Sequence, residues 1–476
     1  MNHPIEQVVA SGRCIGCGTC VLASQGEITV QLGDRRLYRA DLSAASPQAR
    51  RAASRVCPFS DEAPNEDVLG VPHPSDGLQH DSRLGWFSRT FAGRVRDEAA
   101  LRASSSGGLT TWTLCRLAEL GVVDAVITVG SPGPTPGELF GYAVTSPDEL
   151  PTRRRSQYFA TTMAEVLQVV AHTEARFAIV GVPCYIKAVR ALCREDPLIA
   201  RRLVVFVGLV CGHLKTQAYA EALAWQLGIA PAELAEVDFR RKDPSRPAND
   251  YLFAARAAGE REWRSAPTRD LVGANWGHNA FQPEACNVCD DVVAETADVS
   301  FGDAWLPRFA ADPRGTNVVI SRNPMIDGIL LQGAAQGELE LEPITAAEAV
   351  ATQAGGFRHR RDGLAVRLAD DLARGLPVPV KRVPPEGRAG GRRRARLVRH
   401  RRVMAELSHS AFALALAHDD LAGFLAVMQR QARRYRRYEA GPVRRAGRRL
   451  RGCAARVARA LGIGAVPGLP DRPRPE

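Results

Sequence analysis

Eight of the eleven cysteines in this 476-residue chain fall where they could hold a metal centre. Cys14, Cys17 and Cys20 form a C-x2-C-x2-C run, and Cys57 stands directly before Pro58 after 36 intervening residues. A tight triplet with a distant Cys-Pro is the ferredoxin-type pattern for a 4Fe-4S cluster, and the same four thiolates could make a zinc knuckle. The short spacing lets backbone N–H groups point at sulfur, and Gly16 and Gly18 permit the sharp turns this needs. Closing the longer loop to Cys57 costs only about 2 kcal/mol more than a short one. Metal–thiolate binding on the order of 10 kcal/mol outweighs that cost. Cys286 and Cys289 make a second C-x2-C pair. Two thiolates complete neither a zinc site nor a cluster, so this pair needs two more. Cys184 and Cys211 are the candidates, each beside an apolar, strand-like run. Cys115, inside a helical pattern, reads as a core residue; Cys193 and Cys453 have no partner spacing.

Two other stretches carry chemistry. Ser105, Ser106, Gly107 and Gly108 run directly into a segment with helical periodicity. Small hydroxyl and glycine residues at a helix start leave free N–H groups, a favourable dipole and room for a phosphate, although the same residues also serve as plain caps. Gly302-Asp303 ends an apolar run at 297–305, where a turn would aim a carboxylate at a ligand. The elements that must position these residues read as strands near 122–129, 140–144, 177–180 and 203–210. A helix is expected after Cys184, and a helix followed by a short strand over 325–341. The polar, Pro-rich stretch 61–88 reads as a linker with a turn at Pro72-His-Pro74, and its His73 and His80 as surface residues. No G-x-G-x-x-G follows a strand, so a Rossmann nicotinamide site is not indicated.

Taken together, Gly181-Val-Pro-Cys184, Gly208-Leu-Val-Cys-Gly212 and the C-x2-C before Gly302-Asp-Ala-Trp305 resemble the coenzyme F420 hydrogenase/dehydrogenase beta-subunit family of iron–sulfur flavoproteins. That family includes 7-hydroxymethyl chlorophyll a reductase-like proteins. The resemblance runs from about residue 14 to 322. It departs at Tyr185, where many relatives carry Gln. It implies a second 4Fe-4S cluster on Cys184, Cys211, Cys286 and Cys289, and FAD held by the Ser105–Gly108 stretch. It also implies flavin contacts from Ser156 and Tyr158, in a segment resembling the family's S-x-Y, and a role for Gly302 and Asp303. The arginines at 153–155 could pair with a pyrophosphate or form a solvated charge run.

The architecture expected is α/β (α+β). A small ferredoxin-like module over 1–60 precedes a mixed flavin-binding body with regions 85–175 and 176–380, and a basic helical or loosely ordered tail occupies 381–476. Residues 381–476 hold 24 Lys/Arg against 7 Asp/Glu, a balance of +17, whereas the rest is mildly acidic, so the basic whole-chain charge is no nucleic-acid signature. The tail contains an amphipathic helix candidate at 410–437, suited to an acidic protein or an anionic membrane surface. Cysteines in metal-ligand spacing and a start with no signal-peptide pattern place the chain in the cytosol. The functional expectation is an oxidoreductase taking electrons from a ferredoxin-like or deazaflavin donor, through two 4Fe-4S clusters and FAD, to a small-molecule substrate. An electron-transfer subunit without its own substrate and a zinc-binding scaffold are the alternatives. No catalytic residue is singled out.

Overall fold

The computed structural model describes residues 3–70, 78–131 and 138–440. The expected turn at Pro72-His-Pro74 and Cys453 lie outside the described residues. Phe177–Gly181 and Leu203–Leu209 are near-continuous apolar runs, the composition a strand needs when both of its faces are covered. They lie inside an eight-stranded mixed sheet ordered Leu339–Pro343, Arg89–Val95, Asn317–Ser321, Val299–Asp303, Leu203–Leu209, Phe177–Gly181, Ala125–Gly130, Gly141–Thr145. The four strands from Val299–Asp303 to Ala125–Gly130 are parallel, and the flanking strands pair antiparallel. Their carboxyl ends, at Gly130, Gly181, Leu209 and Asp303, therefore form one rim. In open α/β sheets ligands bind outside such a rim. The sheet draws strands from both of the regions 85–175 and 176–380. A separate three-stranded antiparallel sheet, Leu234–Arg241, Leu252–Ala257 and Arg264–Pro267, stands beside it.

Helices Leu109–Glu119 and Pro324–Ala335 cover one face through Leu109, Leu114, Leu117, Ile326 and Leu330. Pro183–Glu195 covers the other and is buried around most of its circumference, because the N-terminal module packs on its outer side. That module comprises helices Ile5–Ala10, Thr19–Ala23 and Pro47–Val56 with the hairpin Thr29–Gly33/Leu37–Asp41. The stretch expected as a linker carries more structure than its composition suggests: a helical turn, Glu66–Leu69, and a small hairpin, Gln79–Asp81/Gly85–Phe87. His80 is exposed there, against the Trp86 ring.

The C-terminal region differs most from expectation. Instead of one helix over 410–437 there is an antiparallel pair, Gly391–His418 and Leu421–Glu439. The break has a local cause. Asp419 takes the left-handed conformation (φ 51°) as a C-cap, and the Asp420 carboxylate accepts from Gly423 N at 2.8 Å. The hairpin is docked and not loosely ordered: Phe412, Phe424 and Met428 join the core around Phe281, Tyr219 and Phe253. Ser408 Oγ accepts from the buried Phe281 N at 2.7 Å. Among the described residues no helix is long and apolar enough to cross a membrane.

Just before the hairpin the chain is clamped by charge. Arg382 donates to both Glu295 oxygens at 2.7 and 2.9 Å and to Asp290 at 3.2 Å, and Lys381 lies 3.6 Å from Asp290. Glu66, from the N-terminal side, pairs with Lys187 at 3.1 Å and reaches Arg382 at 3.8 Å. Removing one partner of such a buried set leaves uncompensated charge. Arg382→Ala is thus expected to lower unfolding stability by about 3–5 kcal/mol. The urea midpoint measures this; a loss below about 1 kcal/mol would mean that the cluster is solvated like a surface pair.

Candidate functional site

A cavity of about 260 Å³ opens at the rim of the parallel strands. Strand ends supply Gly181, Leu209, Gly302 and Asp303; the start of helix Leu109–Glu119 supplies Ser105, Ser106 and Gly108; and the loop after Thr152 supplies Arg153, Arg154, Ser156 and Tyr158. Seven of the eight residues expected to hold cofactor therefore line one cleft. Gly107 does not. A Cβ there would stand 2.6 Å from Gly93 O and 2.8 Å from Asn317 N, so this glycine is required for backbone packing against the sheet. Gly107→Ala is expected to cost about 1–3 kcal/mol by overpacking. A fall in melting temperature with or without flavin would show it, and an unchanged melting temperature would refute it.

The cleft's first wall is tied together locally. Ser105 Oγ accepts from Ser156 N at 2.9 Å, joining the two segments that sequence singled out separately. Gly108 begins the helix in the left-handed conformation (φ 80°) with no side-chain cap, and Leu109 N donates to Asn317 Oδ1 at 3.1 Å. Lys242 Nζ donates to Ser106 O at 2.8 Å and Leu101 O at 2.7 Å; burial and the Arg240 charge push its ammonium down to about 8. All three arginines line the cleft; Arg155 is paired with Asp238. Arg154 Nε, a donor, and Gln157 Oε1, an acceptor, are buried there without protein partners, which suits a polar occupant carrying both acceptor and donor groups.

The opposite wall is Asp303, which accepts from Arg240 at 2.5 Å. The Arg240 guanidinium lies 4.8 Å from the Tyr251 ring and 5.4 Å from that of Trp305. Enclosed by a carboxylate and two aromatic faces, it is held charged. Burial pushes the Tyr158 phenol up, and its ring meets Trp276 edge-on at 5.1 Å. Gly302 lets Val210 approach: a Cβ at residue 302 would come within 2.6 Å of Val210 Cγ2.

Cys184 sits in the first turn of helix Pro183–Glu195, Cys211 just past strand Leu203–Leu209, and Cys286 and Cys289 in and beside the turn Glu284–Asn287. All four are buried and interact with one another, and Cys211 also borders the cleft. Burial pushes the Cys211 thiol up to about 12 and Cys286 to about 11. Neutral thiols would leave Arg360 stranded. This guanidinium is only 1% exposed, reaches Cys211 Sγ at 3.7 Å and has no partner for Nε or Nη1. Four thiolates on a metal centre would supply the negative charge that its burial demands. Leu214 N also donates to Cys286 Sγ at 3.2 Å.

Cys14, Cys17, Cys20 and Cys57 line a small cavity with Ile5, Val8 and Phe59. Gly16 N and Ala40 N donate to Cys14 Sγ at 3.4 and 3.3 Å. Gly16 has φ 63°, and a Cβ on it would strike the Tyr38 backbone at 2.5 Å, so only glycine fits. Met163 N donates to Cys17 O at 2.9 Å, fastening this module to the body. The stacked rings of Tyr142 and Tyr185 are buried near both cysteine groups, and burial, with Cys184 and Cys17 nearby, pushes their phenols up. Among the described residues no three Cys, His, Asp or Glu side chains close on a single ion. A four-iron cluster takes one thiolate per iron, and each group brings together four cysteines.

Two family models match the chain, both described as coenzyme F420 hydrogenase/dehydrogenase, beta subunit. The model of the N-terminal part covers residues 90–168, and that of the C-terminal part covers 174–347, together more than half of the sequence. The chain belongs to this family. Within it, an F(420)H(2) dehydrogenase component of Methanosarcina mazei, named as one of that enzyme's subunits, is 23% identical over 315 residues, 64% of this chain and 80% of that protein. The coenzyme F420 hydrogenase subunit beta of Methanothermobacter thermautotrophicus is 22% identical over 273 residues, 55% of this chain and 86% of its own. A solved chain of the F420-reducing [NiFe] hydrogenase complex from Methanosarcina barkeri covers 63% of this chain and 98% of itself, with TM-score 0.46 and 17% identity. As a member of the F420 hydrogenase/dehydrogenase beta-subunit family the protein is an oxidoreductase in the broad sense. The family models end at residue 347, so the clamp at 381–382 and the helical hairpin are features of this chain outside the matched region.

Sequence reasoning passed over Arg360, Trp276, Tyr142 and Asn317. Arg360 and Trp276 belong to no spacing pattern. Asn317 alone carried a signal, standing at the first position of a buried strand just after a turn, where an amide side chain can cap a neighbouring backbone.

Proposed function

We propose that this protein is an FAD- and 4Fe-4S-dependent oxidoreductase. Its two four-cysteine groups would each hold a cluster, Cys14/Cys17/Cys20/Cys57 and Cys184/Cys211/Cys286/Cys289, and the rim cleft would hold FAD. The observation that carries this reading is Cys211, which belongs to the second cysteine group and also borders the cleft. Bound clusters supply one-electron transfer and flavin stores two electrons, so the combination matches single-electron donors to two-electron chemistry.

The chain's own residues have distinct tasks in this reading. Arg153 and Arg154 bind the anionic part of the cofactor, with Ser105, Ser106 and Gly108 at the helix start beside them. Tyr158 and Trp276 form an aromatic wall that excludes water. Arg360 holds the second group's sulfurs in their anionic form, and the Arg240–Asp303 pair keeps a fixed dipole at the rim. The donor is a ferredoxin-like protein or a deazaflavin, and the acceptor a small molecule, in the cytosol; no specific nucleic-acid contact belongs to this reading. Arg392, Arg393 and Arg396 at the start of one hairpin helix and Arg433 and Arg436 near the end of the other are exposed, a basic end suited to an acidic donor protein or an anionic membrane surface.

A second reading, an electron-transfer subunit with no substrate of its own, is favoured by the relatives that are named as subunits. The isolated, cofactor-loaded chain separates the two. Bleaching of its flavin by reduced ferredoxin or deazaflavin, followed by reoxidation with a small-molecule acceptor, supports the first; bleaching without reoxidation by any acceptor except a protein partner supports the second. No flavin and no iron in the purified protein would overturn both.

A further inference from the structure

On the His213–Trp276 side of the cleft lies a group of buried cations and imidazoles to which the proposed function assigns no role. His213 borders the cleft, packs 4.5 Å from the Trp276 ring, and lies 6.1 Å centroid to centroid from His359. His359 is 5% exposed and neither ring nitrogen has a partner; His213 is 6% exposed and its Nε2 has none. The hairpin closes the far side. Arg401 Nη2 donates to Tyr435 OH at 2.8 Å, and a Cβ on Gly277 would meet both groups, at 3.4 and 3.0 Å, so this pair abuts the turn that carries Trp276. Arg401 Nε and Arg394 Nε are also buried without partners.

Charge here does not balance. Arg360 is answered by the cysteines. Arg367 has only carbonyls, Asn287 O at 2.7 Å and His359 O at 3.1 Å, and burial together with Arg360, Arg402 and Arg401 pushes it down to about 9. The nearby carboxylates Glu284 and Asp371 are both bound by Arg402, at 2.8 and 2.5 Å. Buried cations with free N–H groups around two unpartnered imidazoles form a receptor lacking its anion.

From this geometry we infer that His213, His359, Arg401 and Tyr435 form an oxyanion subsite at the His213 edge of the cleft, which anchors a carboxylate or phosphate of the small-molecule substrate. The inference rests on the reading of the cleft as a redox site and gives that reading a substrate class. It also gives the hairpin a binding role: Arg401 and Tyr435 close the subsite from outside the region matched by the family models. A planar guanidinium suits either anion, through paired N–H donors.

The test titrates the holoprotein with inorganic phosphate and, separately, succinate at constant ionic strength, reading calorimetric heat and the flavin difference spectrum. Saturable binding of at least one anion is expected, weakened at least tenfold in Arg401→Gln and in His359→Asn and unchanged in Arg430→Gln, which alters an exposed arginine of the same hairpin. Preference between the two titrants tells phosphate from carboxylate. Arg401→Gln keeps the aliphatic stem and a polar end at a half-buried position, and a melting temperature like the parent's confirms its fold. Absence of saturable heat from both anions, or equal affinity in Arg401→Gln, overturns the inference. Flavin-free protein is titrated in parallel: anion binding in a chain that takes up no flavin rejects the cleft reading alone, and flavin binding without anion binding rejects the subsite alone.

Discussion

Replacing Cys286 and Cys289 together by serine is expected to remove about half of the protein's iron, from about eight atoms to about four, and to stop the flavin from being reduced through the clusters. The two thiols lie in and beside one short turn and are buried close to Cys184, Cys211 and Arg360. Serine hydroxyls stay protonated there, so the variant loses both metal ligands and the negative charge that Arg360 requires. Replacing Cys14 and Cys17 should also remove about half of the iron, yet leave FAD bound, because those thiols lie in the separate N-terminal cavity. Iron and flavin analysis of the two double variants checks the pair of outcomes. Equal loss of flavin from both would mean that the two groups do not sit at different distances from the cleft.

Ending the chain at Pro379 is expected to abolish a stable fold. On sequence grounds the same cut leaves iron and flavin intact, since it removes no proposed ligand. The structure reverses that expectation. The cut takes away Arg382, stranding Asp290 and Glu295, and strips Phe412, Phe424 and Met428 from the core around Phe281. Each such side chain contributes roughly 1.5–3 kcal/mol of burial, and a folded domain has only about 5–15 kcal/mol in total. Insoluble or protease-sensitive product is the expected result. A soluble truncated protein with full iron and FAD would show that the hairpin is an accessory. A cut after Ala440, which leaves the whole packed hairpin in place, is expected to keep both cofactors.

What the sequence made legible follows from physics that acts locally. Parallel strands covered on both faces must be apolar throughout, so Phe177–Gly181 and Leu203–Leu209 announce themselves, and the Gly-Cys and Gly-Asp punctuation at their ends marks the rim where the cleft lies. Cysteine spacing is equally local. The hairpin was hidden because arginine on an amphipathic helix looks alike whether it is solvated or faces a buried anion site. Arg399 and Arg402 stand three residues apart; one meets Asp370 at the surface and the other the buried Asp371. Gly107 was hidden for a related reason: a glycine needed for close backbone packing and one needed for phosphate contact have the same sequence signature, and only the approach of Gly93 and Asn317 tells them apart. The charge cluster around Arg382 joins residues more than 300 positions apart, beyond any pattern a sequence window can show.

The most direct test of the central claim is the metal and flavin content of the anaerobically purified chain. Two four-thiolate groups and one cleft predict about eight iron atoms and one FAD per chain, with cluster absorption that bleaches on reduction. Stoichiometric zinc in place of iron, or iron without flavin, would contradict the account.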